Sequence, residues 1–253
     1  MTPDSLTARV AAILASRPPS WPVHPLPAND VALARMIDHT LLRPDATPEA
    51  VETLCAEARQ HGFASVCVAP LHVRDAARLL HGSGVRVCTV VGFPLGAVTT
   101  AVKGFEASRA LLDGAEELDM VLPVGLLRAG RTGEVLVDIR TVTGVARTAG
   151  AVTKVILETA FLTDAEKVAA CLLAQEAGAD FVKTSTGFAS AGATTDDVGL
   201  LRHAVGPAAG VKAAGGIRTR DQALAMIAHG ATRLGTSAGV AILHATGDSR
   251  GGY

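Results

Sequence analysis

The sequence predicts an α/β chain folded as a (β/α)8 TIM barrel with an N-terminal helical extension. Three observations lead there. The chain has 253 residues, the usual size of a single barrel of this kind. Short, Val-rich apolar runs alternate eight times with helical stretches that end in glycine, the pattern of parallel strands covered by helices. Aromatic residues make up only 3% of the chain, which does not suit a sandwich core. Layered Val, Ile, Leu and Ala are instead expected to fill the barrel centre.

Residues 1–30 read as an N-terminal helix and a Pro-rich linker, 31–245 as the barrel that carries the chemistry, and 246–253 as a flexible tail. Leu6, Val10, Ile13 and Leu14 fall at helical spacing behind an acidic start, which favours an amphipathic helix over a signal peptide. Five prolines between positions 18 and 27 mark the linker. The strands are expected at 35–38, 65–69, 86–91, 117–122, 153–158, 180–184, 210–214 and 233–235. Thr47-Pro48-Glu49 opens one helix with a cap and a first-turn proline, and Gly62 follows its end. Thr163 with Glu166, and Thr219 with Gln222, form capping boxes for two later helices closed by Gly178 and Gly230.

Composition excludes several function classes. A formal net charge of −1 carries no basic footprint for nucleic acid. No run of eighteen apolar residues spans a membrane. Cys55, Cys67, Cys88 and Cys171 lie far apart without a C-x-x-C, as expected of free thiols in a reducing cytoplasm. The eight histidines are scattered without ligand spacing, so no metal is expected. No G-x-G-x-x-G or P-loop is present, and no cofactor is predicted.

In such a barrel the chemistry belongs at the C-terminal ends of the strands. Only five lysines stand beside eighteen arginines. Lys103 and Lys167 sit in helical segments among polar neighbours and are expected on solvated faces. Lys154, Lys183 and Lys212 fall inside strands, 29 residues apart twice over, so one stands in each of three successive βα units. Each alone could be a strand-end lysine reaching solvent or a nearby carboxylate. Together they predict an ammonium cluster whose repulsion and burial lower at least one pKa. A neutral lysine is an amine nucleophile that forms a Schiff base with a carbonyl, which Arg cannot do. Asp119, in the apolar run of the fourth strand, either pairs with Lys154 or moves protons beside the lysines. Asp38 and Thr40 sit at the end of the first strand, where Asp38 would hold neighbouring groups or a substrate hydroxyl. Gly215 and Gly216 follow the seventh strand, and Gly235 and Ser237 the eighth, the usual phosphate-binding loops of this barrel. Thr184 and Gly187 follow Lys183 and add hydroxyl and backbone donors.

An amine nucleophile, further lysines, a carboxylate and phosphate loops describe a Schiff-base aldolase acting on a phosphosugar. The segments Ile37-Asp-His-Thr-Leu-Leu42, Val90-Val-Gly-Phe-Pro-Leu-Gly96, Glu117-Leu-Asp-Met-Val121, Lys154-Val-Ile-Leu-Glu-Thr159, Phe181-Val-Lys-Thr-Ser-Thr-Gly187 and Val211-Lys-Ala-Ala-Gly-Gly-Ile-Arg218 resemble the deoxyribose-phosphate aldolase family over about residues 31–243. The resemblance implies reversible cleavage of 2-deoxy-D-ribose 5-phosphate to D-glyceraldehyde 3-phosphate and acetaldehyde, in deoxynucleoside breakdown. It implies an imine on Lys183, its pKa lowered by Lys212, proton transfer by Asp119 with Lys154 near it, and phosphate held by Gly187, Gly215, Gly216 and Ser237. It also implies phosphorylated-sugar and small-aldehyde substrates, and self-assembly is a further possible partner. The chain departs from the family pattern at Ala69 and Pro123, where Asn is common, and at Phe188, where some relatives carry Lys. Tyr253 ends a Gly-rich tail. Some relatives end in a Tyr that assists proton transfer, whereas a plain tail is the default reading. Other Schiff-base aldolases or transaldolases, and a barrel that binds phosphosugar without turnover, are the alternatives.

Overall fold

The computed structural model describes residues 2–244. Eight parallel strands close a barrel in sequence order, with β1 pairing both β2 and β8. They are β1 (Ile37–Leu41), β2 (Ser65–Val68), β3 (Arg86–Val91), β4 (Glu117–Val121), β5 (Val152–Ile156), β6 (Phe181–Lys183), β7 (Gly210–Ala214) and β8 (Arg233–Thr236). Helices α1 (Pro3–Ala15) and α2 (Asp30–Ala34) precede the barrel. Around it lie α3 (Pro48–His61), α4 (Val73–Leu80), α5 (Thr100–Leu112), α6 (Val124–Arg128), α7 (Thr132–Thr148), α8 (Asp164–Glu176), α9 (Thr195–Val205), α10 (Arg220–Ala228) and α11 (Gly239–His244).

Local signals set most of these boundaries. Thr47 caps α3, whose C-cap Gly62 takes the left-handed conformation that a side chain disfavours. Both capping boxes form, Thr163 with Glu166 on α8 and Thr219 with Gln222 on α10. Each satisfies two backbone N–H groups left without partners at a helix start.

The apolar core lies between strands and helices. Val66, Leu118, Met120, Val155, Val182 and Leu234 alternate along their strands with inward-facing polar residues and pack in one cluster with the buried helix faces. The barrel centre differs from the aliphatic filling expected. It holds Asp38, Glu117, Asp119, Lys154, Lys183, Lys212 and Arg233 as interlocked ion pairs. A small apolar group of Cys67, Cys88 and Val90, packed by Leu42 and Phe93, forms a separate cluster. The low aromatic content reflects tight helix-on-sheet packing rather than an aliphatic centre.

Three other expectations change. The first strand runs Ile37–Leu41 rather than 35–38. Its polar residues end the apolar run in sequence, yet Asp38 turns inward to Lys212 and Arg233. Lys103 is fully buried rather than solvated. Its ammonium pairs with Asp138 at 2.6 Å and donates to the Val121 carbonyl at 2.8 Å, tying α5 to α7 and to the end of β4. Lys167 is mostly buried as well, bridging Asp164 and Asp197. All four cysteines are buried and free. Before the barrel, Trp21 donates to Asp196 at 2.7 Å, and the Arg17 guanidinium lies over its ring.

Candidate active site

Strand register assembles the charged centre. Asp119 and Lys154 are direct partners between β4 and β5, and Lys183 and Lys212 between β6 and β7. Between β5 and β6 it is Ile156, not Lys154, that faces Lys183. Lys183 therefore stands one inward-facing position nearer the C-terminal end of the barrel than Lys154 does. Asp119 joins all three lysines. Its Oδ1 lies 2.7 Å from the Lys154 ammonium, and its Oδ2 lies 2.8 Å from Lys183 and 2.7 Å from Lys212. Lys154 also pairs with Glu117 at 2.7 Å, and Lys212 with Asp38 at 2.5 Å. Arg233 closes the network from below on Asp38 and Glu117.

These contacts decide how the groups titrate. Burial alone would raise the Asp119 carboxyl, but Lys154, Lys183 and Lys212 outweigh it and hold it well below the usual carboxylate range. Asp38 is likewise held low against its burial by Lys212, Lys154 and Arg233. Burial would lower Lys154 and Lys212, yet Asp119 and Asp38 hold both above their ordinary value. Neither of these two falls as crowding of ammonium groups alone would make it, because carboxylates are interleaved among them.

A stability prediction follows from the directions. Unfolded aspartates titrate near 3.8, and both folded values lie lower. Their stabilisation is complete above 3.8 and lost as pH falls through the folded values. Lys154 and Lys212 lie above 10.5, so theirs is complete below 10.5 and lost as pH rises through the folded values. The unfolding temperature is expected to hold near neutrality and to fall below about pH 4 and above about pH 10.5. A pH series of thermal unfolding measures it.

Above the network a cavity of about 320 Å³ opens at the C-terminal ends of the strands. Lys183, Thr40, Gly187, Gly215, Gly216, Gly235 and Ser237 all line it. Gly215 and Gly216 both adopt positive φ, 89° and 82°. A Cβ on Gly215 would lie 3.0 Å from the Gly192 backbone, so that close approach requires glycine. Thr184 does not line this cavity. Its buried hydroxyl donates to the Ala214 carbonyl and accepts from the Ala214 N–H, tying β6 to β7. The Thr40 hydroxyl donates to the Asp38 carbonyl at 2.8 Å. Tyr253 lies outside the described residues.

Several residues escaped sequence reasoning. Glu117 is fully buried and holds Lys154. Its position two residues before Asp119, on the same strand face, is the signal for it. Arg43 and Arg218 are exposed cations on the cavity wall. Cys67, Cys88 and Asp119 bring possible metal-ligand atoms within 4.8 Å of one another. Lys154 already donates to both Cys88, at 3.3 Å, and Asp119.

Glu158 is the other omission. It follows β5 and is the one non-glycine among the described residues with positive φ, 57°. Such a backbone costs roughly 1–3 kcal/mol and persists only where surroundings enforce it. Its buried carboxylate accepts from the Thr186 N–H at 3.2 and 3.3 Å and from the Thr186 hydroxyl.

Comparison with known proteins agrees with this arrangement. The chain is 57% identical over 211 residues to deoxyribose-phosphate aldolase 1 of Bacillus licheniformis, covering 83% of this chain and 94% of that protein. It is 56% identical over 217 residues to the deoxyribose-phosphate aldolase of Carboxydothermus hydrogenoformans, covering 85% and 95%. A solved tetrameric deoxyribose phosphate aldolase from Aeropyrum pernix superposes with a TM-score of 0.80 at 34% identity, covering 96% of this chain and 97% of that one. The family profile of the DeoC/LacD aldolases matches residues 32–247, the whole barrel with its network of lysines and carboxylates. With a match of that extent, this chain belongs to the DeoC/LacD family of aldolases.

Proposed function

We propose that the protein reversibly cleaves 2-deoxy-D-ribose 5-phosphate to D-glyceraldehyde 3-phosphate and acetaldehyde through an imine on Lys183. The observation that carries this reading is the shared Asp119 Oδ2, which touches Lys183 and Lys212 while Lys183 lines the cavity. The buried network sets Lys154, Lys183, Lys212 and Arg233 against Asp38, Glu117 and Asp119, an excess of one positive charge. Of the three lysines, Lys183 alone lines the cavity, so it is the amine that a substrate carbonyl can reach.

In the cleavage direction Lys183 Nζ adds to the C1 aldehyde of the open-chain sugar, and loss of water leaves a protonated imine. A base removes the proton of the C3 hydroxyl, C3 becomes the aldehyde carbon of the triose phosphate, and the C2–C3 bond breaks. Its electron pair moves through C2 and C1 to the imine nitrogen, giving an enamine instead of a bare carbanion. A proton returns to C2, and water releases acetaldehyde and restores the amine. Asp119, within 2.8 Å of Lys183, rests as the carboxylate and is placed to take these protons transiently and pass them on. Lys212 keeps the carboxylate charged, Lys154 anchors its other oxygen, and Asp38 holds Lys212 in place. Thr40 and Thr184 support strand ends through their backbone partners.

Gly187, Gly215, Gly216, Gly235 and Ser237 would hold the phosphate on backbone N–H and hydroxyl donors, with Arg43 and Arg218 adding charge. The reading assigns residues 31–245 to the catalytic barrel, 1–30 to an extension and 246–253 to a tail in which Tyr253 could assist proton transfer. Free buried cysteines support a cytoplasmic location, and no described helix is long and apolar enough to cross a membrane. Exposed Leu71, Phe105 and Leu112 would suit self-assembly.

Incubation with deoxyribose 5-phosphate, borohydride reduction and peptide mass spectrometry test the reading. A reduced adduct on Lys183 is expected. An adduct on another residue would refute the assignment. Binding without any adduct would favour a barrel that holds phosphosugar without turning it over.

A further inference from the structure

We propose that Glu158 is a positioning residue that sets the preference for phosphorylated over unphosphorylated substrate, by fixing the loop after β6 against the loop after β7. The proposal rests on the phosphate-binding reading above. Glu158 carries two features that packing alone does not require. Its backbone is left-handed although it is not glycine, and its carboxylate is buried with no cation paired to it among the described residues. Both costs are compensated at one place. The carboxylate accepts from the Thr186 N–H and hydroxyl, and the Thr186 hydroxyl oxygen in turn accepts from the Phe188 N–H at 3.0 Å.

This chain of bonds fixes both sides of Gly187, which has φ of 87° and lines the cavity. A Cβ on Gly187 would stand 3.9 Å from the Gly215 Cα, so the two cavity loops lie nearly in backbone contact. Glu158 thus takes up the Thr186 N–H and, through the Thr186 hydroxyl, the Phe188 N–H, fixing the backbone on either side of Gly187, the residue of this loop that the reading above gives to the phosphate, and it touches none of the reacting atoms. Neighbouring backbone bonds, Leu157 N–H to the Lys183 carbonyl and Thr159 N–H to the Thr184 carbonyl, already hold β5 to the end of β6. They remain when the side chain is removed, so the loop, not the strand, is what the carboxylate governs.

The test compares kcat and KM for 2-deoxyribose 5-phosphate and for 2-deoxyribose in wild type, Glu158→Gly, Glu158→Ala and Glu158→Gln. The glycine variant suits the left-handed backbone and removes only the carboxylate. In the Gly and Ala variants KM for the phosphate ester should rise about tenfold, with kcat and the activity on 2-deoxyribose within about threefold of wild type. Glu158→Gln retains an acceptor oxygen and should recover part of the loss. Thr186→Val cuts the same link from the other side, so it keeps the test open if a Glu158 variant fails to fold. It should reproduce the effect, and the double variant should lose no more than either single one. Parallel losses on both substrates, or an unchanged ratio between them, would overturn the proposal. A wild type that forms no Lys183 adduct and cleaves neither sugar would instead overturn the reading on which it rests.

Discussion

Replacing Lys183 with arginine should lower cleavage of deoxyribose 5-phosphate by at least about 10⁴-fold, while phosphosugar binding and the fold persist. Arginine keeps a cation beside Asp119 Oδ2, where Lys183 stands at 2.8 Å. The ion network therefore remains occupied, and the unfolding temperature should move by only a few degrees. What disappears is the capacity to lose a proton and add to a carbonyl, since a guanidinium stays charged throughout the accessible pH range. The cavity loops that would bind phosphate lie on β6, β7 and β8 and do not depend on the nucleophile. Calorimetric binding together with a coupled assay for triose phosphate measures both quantities. Cleavage well above background in the variant would remove Lys183 from the mechanism, and loss of binding would show that the lysine also shapes the cavity.

Asp119→Asn should damage activity and stability together. The side-chain shape is preserved, but Lys154, Lys183 and Lys212 lose the carboxylate they share at 2.7–2.8 Å. Removing one partner of a buried ion pair costs about 3–5 kcal/mol because charge is left uncompensated. Total stability of a domain is typically about 5–15 kcal/mol, so a large part is at stake. Loss of a positioned proton carrier should add about 10²–10⁴-fold in kcat. Denaturant unfolding and steady-state kinetics on the same preparation separate the two effects. The acid limb of the pH–stability curve should also weaken, because one of the two depressed carboxyl groups of the network has gone. A variant as stable as wild type would mean that the lysines shed their excess charge.

The parts of this architecture that were legible in the amino-acid order are those set by near neighbours. Thr163 and Glu166 lie within one helical turn, and so do Thr219 and Gln222. The 29-residue spacing of Lys154, Lys183 and Lys212 was visible because β5, β6 and β7 begin 29 residues apart, at Val152, Phe181 and Gly210. Burial of Lys103 was not visible, since its partner Asp138 lies 35 residues away on another helix. The charged barrel centre was hidden for a related reason. Val66, Leu118 and Leu234 read as generic core, and only closure of the sheet decides that they point outward to helices while Asp38 and Glu117 point inward. Thr184 illustrates the opposite error. Its hydroxyl looked available beside the nucleophile, but it is used in tying β6 to β7.

The separation of an aliphatic outer shell from an ionic axis has an evolutionary corollary. Mutations that improve packing between strands and helices act on one set of atoms, and mutations that alter turnover act on another. Heat tolerance can therefore be sought in the packing of the helices on the sheet, leaving the catalytic charges untouched. Along the axis no such freedom exists. There, fitness for the reaction and endurance of the fold are selected in the same carboxylates, so natural variation should crowd into the shell and leave the centre nearly still.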